Sequence, residues 1–398
     1  MSAEAWDEVE LGDVVTLQRG FDLPSRERRD GAVPIVSSSG VTGFHDEAKI
    51  APPGVVTGRY GTLGQVFYVN QPFWPLNTTL YVKDFHGNDP RFCSYLLEYQ
   101  GLGTQESASA VPGINRNVLH RLLVRRPPLD AQRKIASVLS AYDELIENNR
   151  RRIELLEKIA DRIYREWFVD FRYPGHEGVP LVETAMGPIP QGWEVSNLGS
   201  MGKWSSGGTP PTGSPEYWNG GIPWITSGCL LGRYLSRSDR TLTAAGVAKG
   251  SRLVPRDTVL FVVRGMSLAK EFRVGIAECD LAFGQDCKAV QVSDGIAPLL
   301  ILHYLSDRAP QIAKMVEFAA HGTGKISTDR LKALPIAVPP AVLQTRFHDV
   351  ATTVRQLVTG LEAAVVTTGA TRDLLLQRLI SGELDVANLD ISIEQAAA

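Results

Sequence analysis

The chain has 398 residues, with 41 Lys+Arg against 44 Asp+Glu and a net charge of −3. That length exceeds one ordinary domain and fits two or three, and 43% hydrophobic with 21% charged residues excludes wholesale disorder. A charge so near zero argues against a protein that coats nucleic acid through bulk positive charge, while leaving room for a local basic surface.

Taken in chain order, the acidic start Met1–Glu8 has no apolar segment of the kind a secretory signal needs. Strands are expected at Val55–Thr57 and Val66–Val69, flanking a glycine turn from Gly58 to Gly64. A short helix is expected at Pro90–Tyr99. After Pro127-Pro128, glycine and proline vanish until Pro174, and apolar or interface residues recur at Ile135, Leu139, Tyr142, Ile146, Asn149, Ile153, Leu156, Ala160, Ile163 and Trp167. Alternating spacings of four and three are the seam of a coiled coil, with charged residues such as Asp143, Glu157 and Asp161 on the other faces. Asn149 within the seam is the kind of residue that sets register. Such a helix over residues 130–168 spans roughly 58 Å at about 1.5 Å per residue. Residues 172–190, rich in Pro and Gly, read as an interdomain linker. Beyond it, strands are expected at Thr258–Val263 and Lys288–Val292 and a helix at Ile296–Leu305; the longest apolar run, Ala297–Leu305, is broken by His303 and is too short to span a membrane. A second seam follows at Phe347, Ala351, Val354, Val358, Leu361, Val365, Thr368, Arg372, Leu375 and Leu379, with Arg372, Gly360 and Gly369 as its weak points.

The order of these elements is given twice. Trp6, Leu11, Gly12 and Gly20 answer to Trp193, Leu198, Gly199 and Gly207 at an offset of 187, and Val33-Pro34-Ile35 to Ile222-Pro223-Trp224. Ile114, Leu119, Leu122, Pro127, Pro128 and Gln132 answer to Ile326, Leu331, Leu334, Pro339, Pro340 and Gln344 at an offset of 212. The halves thus agree at their ends and differ in their middles, as two copies do that share a scaffold and differ in what they bind. The fold class is α+β: two strand-rich globular domains joined by two long antiparallel helices in a coiled coil, with pseudo-twofold repetition. The segments are 1–129, a helix at 130–171, the linker 172–190, 191–340, a helix at 341–386 and a tail at 387–398.

Catalytic patterns are absent from the sequence. The run from Gly58 to Gly64 is not a dinucleotide fingerprint. His321–Ser327 has Ala319 where a phosphate loop needs its first glycine and Ile326 where Ser or Thr should follow the lysine. The seven histidines show no metal-ligand spacing, the four cysteines form no C-x-x-C pair, and no G-x-S-x-G elbow occurs. A reducing cytoplasm is the expected compartment. What remains is a set of basic, amide and aromatic side chains on loops. Residues 191–340 carry 16 Lys+Arg against 12 Asp+Glu, and residues 1–130 carry 12 against 15 but gather arginines locally. The candidates are Arg19, Arg26, Arg59, Tyr60 and Asn77 in the first domain, and Ser206, Thr209, Trp224, Arg264, Lys270 and Lys325 in the second, with side chains suited to base edges and phosphates.

The duplicated Leu-Gly opening after Trp, the Pro-Pro-Leu-x-x-Gln stretch before the first heptad helix, and the helix ends Trp167–Phe171 and Leu375–Leu384 resemble the specificity subunit of type I restriction-modification systems over about residues 5–386. The resemblance implies that each globular domain is a target-recognition domain for one half of a split site in double-stranded DNA. It implies a coiled coil that spaces the two. It also implies no catalysis in this chain, but recruitment of two modification subunits that bind S-adenosylmethionine and methylate adenine and, in full complexes, of two restriction subunits that use ATP and Mg. A non-catalytic scaffold whose globular domains bind proteins is the alternative at this point.

Overall fold

The structure, a computed structural model, describes residues 6–101, 115–319 and 322–386. The chain divides into two compact units, residues 1–149 with 364–398, and residues 150–363. The first long helix runs from Leu129 to Phe168 and the second from Ala341 to Ser381, so each unit contains a globular body and part of both helices. Among the described residues no helix is long and apolar enough to cross a membrane.

In the first unit the main sheet is antiparallel throughout, in the order Thr16–Arg19, Thr79–Asp84, Gly54–Gly58, Val66–Val69. Gly54–Gly58 is buried along its whole length, which is why it reads as an unbroken run rather than an alternation. The glycine turn after it closes the expected hairpin onto Val66–Val69. Val33–Ser37 lies between Gly40–His45 and a parallel Trp74–Pro75 in a second sheet. The helix Pro90–Tyr99 starts where the Asp89 carboxylate accepts from the Phe92 amide at 2.8 Å with Pro at its first turn. It buries Phe92, Cys93, Leu96 and Leu97 in a core shared with Leu11, Val14, Leu17, Val55 and Leu80. Asp7–Glu10 pairs with Leu123–Arg126 and draws the start of the chain to the foot of the long helix.

The second unit repeats this plan. Its main sheet runs Gly202–Ser206, Cys287–Val292, Val259–Val262, Val274–Ala277, with Tyr234–Leu235 added in parallel at the edge. Trp218–Ile225 pairs in parallel with Leu281–Phe283, Glu194–Asn197 pairs with Pro335–Val338, and Pro298–Asp307 stands where Pro90–Tyr99 stood. Most of the extra length falls between Ile225 and Val259, which holds the helix Ala244–Gly250 and the edge strand Tyr234–Leu235, while Thr241–Leu242 pairs antiparallel with Trp218–Ile225 as Gly40–His45 does with Val33–Ser37.

Residues matched in sequence do matched work. The Gln132 amide carbonyl accepts from the Asp89 amide at 2.9 Å while its Nε2 donates to the Pro127 carbonyl at 2.9 Å and to Asn88 Oδ1 at 2.8 Å. Gln344 does the same for the Ala297 amide, at 3.0 Å, and the Pro339 carbonyl, at 2.9 Å. Both are buried, and both tie the start of a long helix to the N-terminus of the globular unit's own helix. Gly20 and Gly207 are matched because a Cβ at either would lie 2.2–2.3 Å from a backbone oxygen, that of Leu76 or those of Phe283 and Gly284.

Within each unit the long helices run antiparallel. Ile135 and Leu139 share a core with Leu376, Leu379 and Ile380 in the first unit, and Phe168 meets Phe347 at 5.0 Å between ring centres in the second. The remaining seam positions, Tyr142, Ile146, Asn149, Ile153, Leu156, Ile163, Val354, Val358, Leu361, Val365 and Leu375, are all buried or half-buried. The first helix stops at Phe168, short of 171, and Phe171 takes a positive φ of 59°. The second stops at Ser381, short of 386, at Gly382 with φ 75°. The Pro/Gly-rich stretch after the first helix is not a bare linker: Leu181–Thr184 and Gly187–Pro190 form a hairpin, and the rings of Phe171 and Tyr173 pack on Trp193 at 5.3 and 5.7 Å. The expected tail 387–398 lies outside the described residues.

Candidate nucleic-acid interface

The first unit opens a cleft of about 430 Å³ lined by Arg19, Arg59, Tyr60, Leu80, Asn115, Arg116 and Asn117. Arg19 ends the strand Thr16–Arg19, and Arg59 follows the central strand Gly54–Gly58. The amides of Arg59 and Tyr60 both donate to the Thr78 carbonyl, at 2.9 and 3.2 Å, and fix the start of the loop. The Arg59 guanidinium lies over the Tyr60 ring at 4.6 Å. Among the described residues none of Arg19, Arg59 and Arg116 has a carboxylate partner, so three full positive charges face one cleft in a segment whose overall count is acidic. Arg116 with Asn115 and Asn117 went unseen in the sequence because they follow the matched Ile114 and read as scaffold. The available signal was that the second copy has Ser327, Thr328 and Asp329 at those places.

The other expected contacts of this unit lie elsewhere. Arg26 is on the surface beside Glu27 with its side chain 85% exposed. The Asn77 amide donates to Asp22.

In the second unit Arg264 follows the central strand Val259–Val262 and is exposed. Its amide donates to the Asp286 carbonyl at 3.2 Å. Arg264 is the cross-strand partner of Lys325, also exposed, so the two project from one face of a small sheet. Glu317 flanks Lys325 on the other side, but its carboxylate pairs with Arg330 at 3.3 Å. Lys270 and Thr209 are exposed, and Ser206 Oγ accepts from Lys288 Nζ. Trp224 corrects the expectation. It is 7% exposed, packs edge-to-face on Trp218 at 5.2 Å, and spends its Nε1 proton on the Gly208 carbonyl at 3.1 Å. No ring face is left for a base, and Trp224 is a core residue.

Charges on the long helices are less solvated than their spacing implied. The Arg372 guanidinium, 8% exposed, donates to both oxygens of Glu98 at 2.5 and 2.7 Å and to Asp143 at 3.0 Å, and Asp143 also accepts from the Tyr95 hydroxyl. Burial, then the hydrogen bond to Asp143, raises the Tyr95 phenol. In the second unit Asp161 accepts both Nη atoms of Arg233, at 2.7 and 2.8 Å, and His303 Nδ1 at 2.8 Å. Burial pushes Asp161 up, but the hydrogen bonds of His303 and Arg233 outweigh it and hold the carboxyl far below its usual range. Arg355 donates to Glu278 and Asp257. Each pair bolts a globular body to a helix within its own unit. The helices also leave an open apolar groove of about 470 Å³ in the second unit, lined by Leu155, Leu156, Ile159, Leu357, Gly360 and Leu361. Among the described residues no group of three or more His, Cys, Asp and Glu side chains is placed to hold a metal ion.

Comparison with known proteins accords with this geometry. Residues 3–158 and 190–363 match the family described as the type I restriction modification DNA specificity domain, once in each half. The type I restriction enzyme MjaIX specificity subunit of Methanocaldococcus jannaschii is 29% identical over 71% of this chain and 65% of its own length. The EcoR124I/EcoR124II specificity subunit of Escherichia coli is 29% identical over 39% of each. The matched part of the chain therefore spans less than two thirds of either relative. A type I restriction-modification S subunit from M. genitalium shares the fold, at 16% identity over 95% of this chain and 96% of that one, with a TM-score of 0.59. With its duplicated topology and both halves matched, the chain belongs to the type I restriction modification DNA specificity domain family.

Proposed function

We propose that the chain is the sequence-reading subunit of a type I restriction-modification complex. Each globular unit reads one half of a bipartite site in double-stranded DNA, and the paired helices set the distance between the halves. The observation that carries this is the duplication itself: two units of one topology, matched separately to a DNA specificity family, whose matched residues stand at the ends of each half and whose middles differ in length. The family match favours this over a scaffold whose globular units bind proteins. The chain performs no chemistry of its own. Two modification subunits carry S-adenosylmethionine and methylate adenine, and two restriction subunits supply ATP- and Mg-dependent steps in the full complex. The open apolar groove on the helices supports a docking role for them. The setting is the cytoplasm, where the DNA is.

Exchanging residues 1–129 for those of another family member, in complex with the modification subunits, tests the division of labour. One half of the methylated motif is expected to change; a change in both halves would overturn it. Removing seven residues from each long helix is expected to alter the spacer between the halves, and an unchanged spacer would refute the spacing role.

A further inference from the structure

Tyr60 and Arg264 occupy one place in the repeated frame. Gly54–Gly58 and Val259–Val262 are each the third strand of their main sheets. Past each strand, two successive amides donate to a single carbonyl, that of the residue just before the neighbouring strand. Arg59 and Tyr60 reach Thr78 at 2.9 and 3.2 Å, and Val263 and Arg264 reach Asp286 at 2.9 and 3.2 Å. The next residue is in both units a glycine with positive φ, Gly61 at 83° and Gly265 at 137°. A Cβ on Gly61 would lie 3.2 Å from Ser38 Oγ, and one on Gly265 would lie 3.6 Å from Ser227 Oγ. Ser38 and Ser227 are themselves matched, at the same spacing that pairs Ile35 with Trp224. Exposure follows the same order: Arg59 is half-buried and Val263 buried, whereas Tyr60 and Arg264 are exposed. The frame thus delivers one exposed side chain per unit to one place, a tyrosine in the first and an arginine in the second. Cations flank both. Arg19, Arg59 and Arg116 line the cleft with Tyr60, and Lys325 lies across the strand pair from Arg264, none of them with a carboxylate partner among the described residues.

We propose, resting on the DNA-reading function above, that Tyr60 and Arg264 are the equivalent base-reading residues of the two units, each contacting one base pair of its own half-site at the same distance from the methylated adenine. The cations around each place supply phosphate contacts, which fix register on the duplex but carry no sequence. What distinguishes the two halves then comes from side chains that vary on a constant frame, and here the backbone is held alike while the side chain changes. The two side chains read differently. Arginine has paired donors that suit O6 and N7 of guanine, whereas tyrosine has one hydroxyl and an apolar ring and cannot make that two-donor contact. The base pairs read at the two places therefore differ, with guanine on the Arg264 side.

The test uses the full chain with its modification subunits and reads two things: the genome-wide adenine-methylation motif, and binding to duplexes carrying the wild-type motif or single base-pair replacements, across a salt series. Arg264→Ala is expected to lose the preference for guanine at one position of one half, by about tenfold or more, while the other half stays fully specified and serves as the internal check on folding. Tyr60→Ala is expected to relax one position of the other half with the salt slope unchanged, because no charge is removed. Tyr60→Arg, which keeps a long side chain at that place, should change the preferred base at the same position. Counted from the methylated adenine of each half, the positions set by Tyr60 and Arg264 should coincide. Arg19→Ala should instead weaken all duplexes alike and lower the salt slope by about one. The proposal is overturned if either alanine variant leaves every base preference intact, if both relax the same half, or if the two positions lie at different distances from the methylated adenine. If the wild-type complex has no bipartite motif, the DNA-reading function itself fails, and that result is distinct from these.

Discussion

Gln132 offers the sharpest test of the repeated frame. It is 2% exposed and makes three hydrogen bonds, two of them to backbone groups with no other partner among the described residues, the Asp89 amide and the Pro127 carbonyl. Gln132→Ala strands those two groups and Asn88 Oδ1. An orphaned buried polar group costs about 1–3 kcal/mol. The lower figure applies here, because Gln132 borders a surface cleft with Asp7, Arg126 and Pro127 through which water can enter, and this puts the loss at about 3 kcal/mol. Gln344→Ala strands only the Ala297 amide and the Pro339 carbonyl, about 2 kcal/mol by the same reasoning. Five of the seven tryptophans, from Trp167 to Trp224, lie in the second unit, so fluorescence during urea unfolding of the whole chain follows Gln344→Ala. Native-state amide exchange across Pro90–Tyr99 follows Gln132→Ala, where about 3 kcal/mol accelerates exchange roughly 100-fold. The reasoning is refuted if either variant stays within about 0.5 kcal/mol of wild type, or if Gln344→Ala costs more than Gln132→Ala.

Arg372→Met keeps the apolar stem and removes the contacts to Glu98 and Asp143. Those carboxylates are 35% and 30% exposed and rehydrate in part, so the expected loss is about 2 kcal/mol, between a surface pair and a fully buried one, read by amide exchange in the first unit. Burial first, then the carboxylates of Glu157 and Glu278 against an opposing Arg237, pushes the Glu362 carboxyl up from 4.5 to about 7. The folded chain thus keeps a proton that the unfolded chain releases near pH 4.5. Its contribution to stability is complete below that pH and is lost as pH rises through about 7. His303, kept neutral by burial against the pull of Asp161, slopes the opposite way below pH 6.5, so the useful measurement is the difference between Glu362→Gln and wild type at each pH from 4 to 8. That difference should favour the variant increasingly as pH rises, and a flat difference contradicts the assignment. Gly369→Ala on the second long helix meets nothing within 4 Å and should stabilise the chain by about 0.5–1 kcal/mol in urea unfolding.

Much of the frame was legible because the same constraint was written twice. Gly20 with Gly207 and Gln132 with Gln344 are matched pairs whose reasons, close backbone approach and a buried amide bridge, appear only in three dimensions. The seams were legible because heptad spacing needs no tertiary knowledge. The charged faces were not: Asp143, Asp161 and Arg355 sit at outer positions of the helices, and only contact with the globular bodies shows that they turn inward. For the candidate interface, residue type pointed to Arg19, Arg59, Arg264 and Lys325, and the structure places the first two in one cleft and the last two across one strand pair. It failed at Trp224, because an aromatic beside a loop reads alike whether its ring is free or packed on Trp218. It passed over Arg116, which lines the same cleft as Arg19 and Arg59, because that residue follows the matched Ile114 and reads as scaffold.

The account stands or falls on whether this chain dictates a two-part DNA sequence. The direct measurement is an adenine-methylation map of cells carrying the modification subunits with and without this chain. A split motif of two specified halves around an unspecified spacer, present only with the chain, is the predicted result. Methylation that is unchanged by the chain, or that depends on it without any sequence preference, would contradict the central claim.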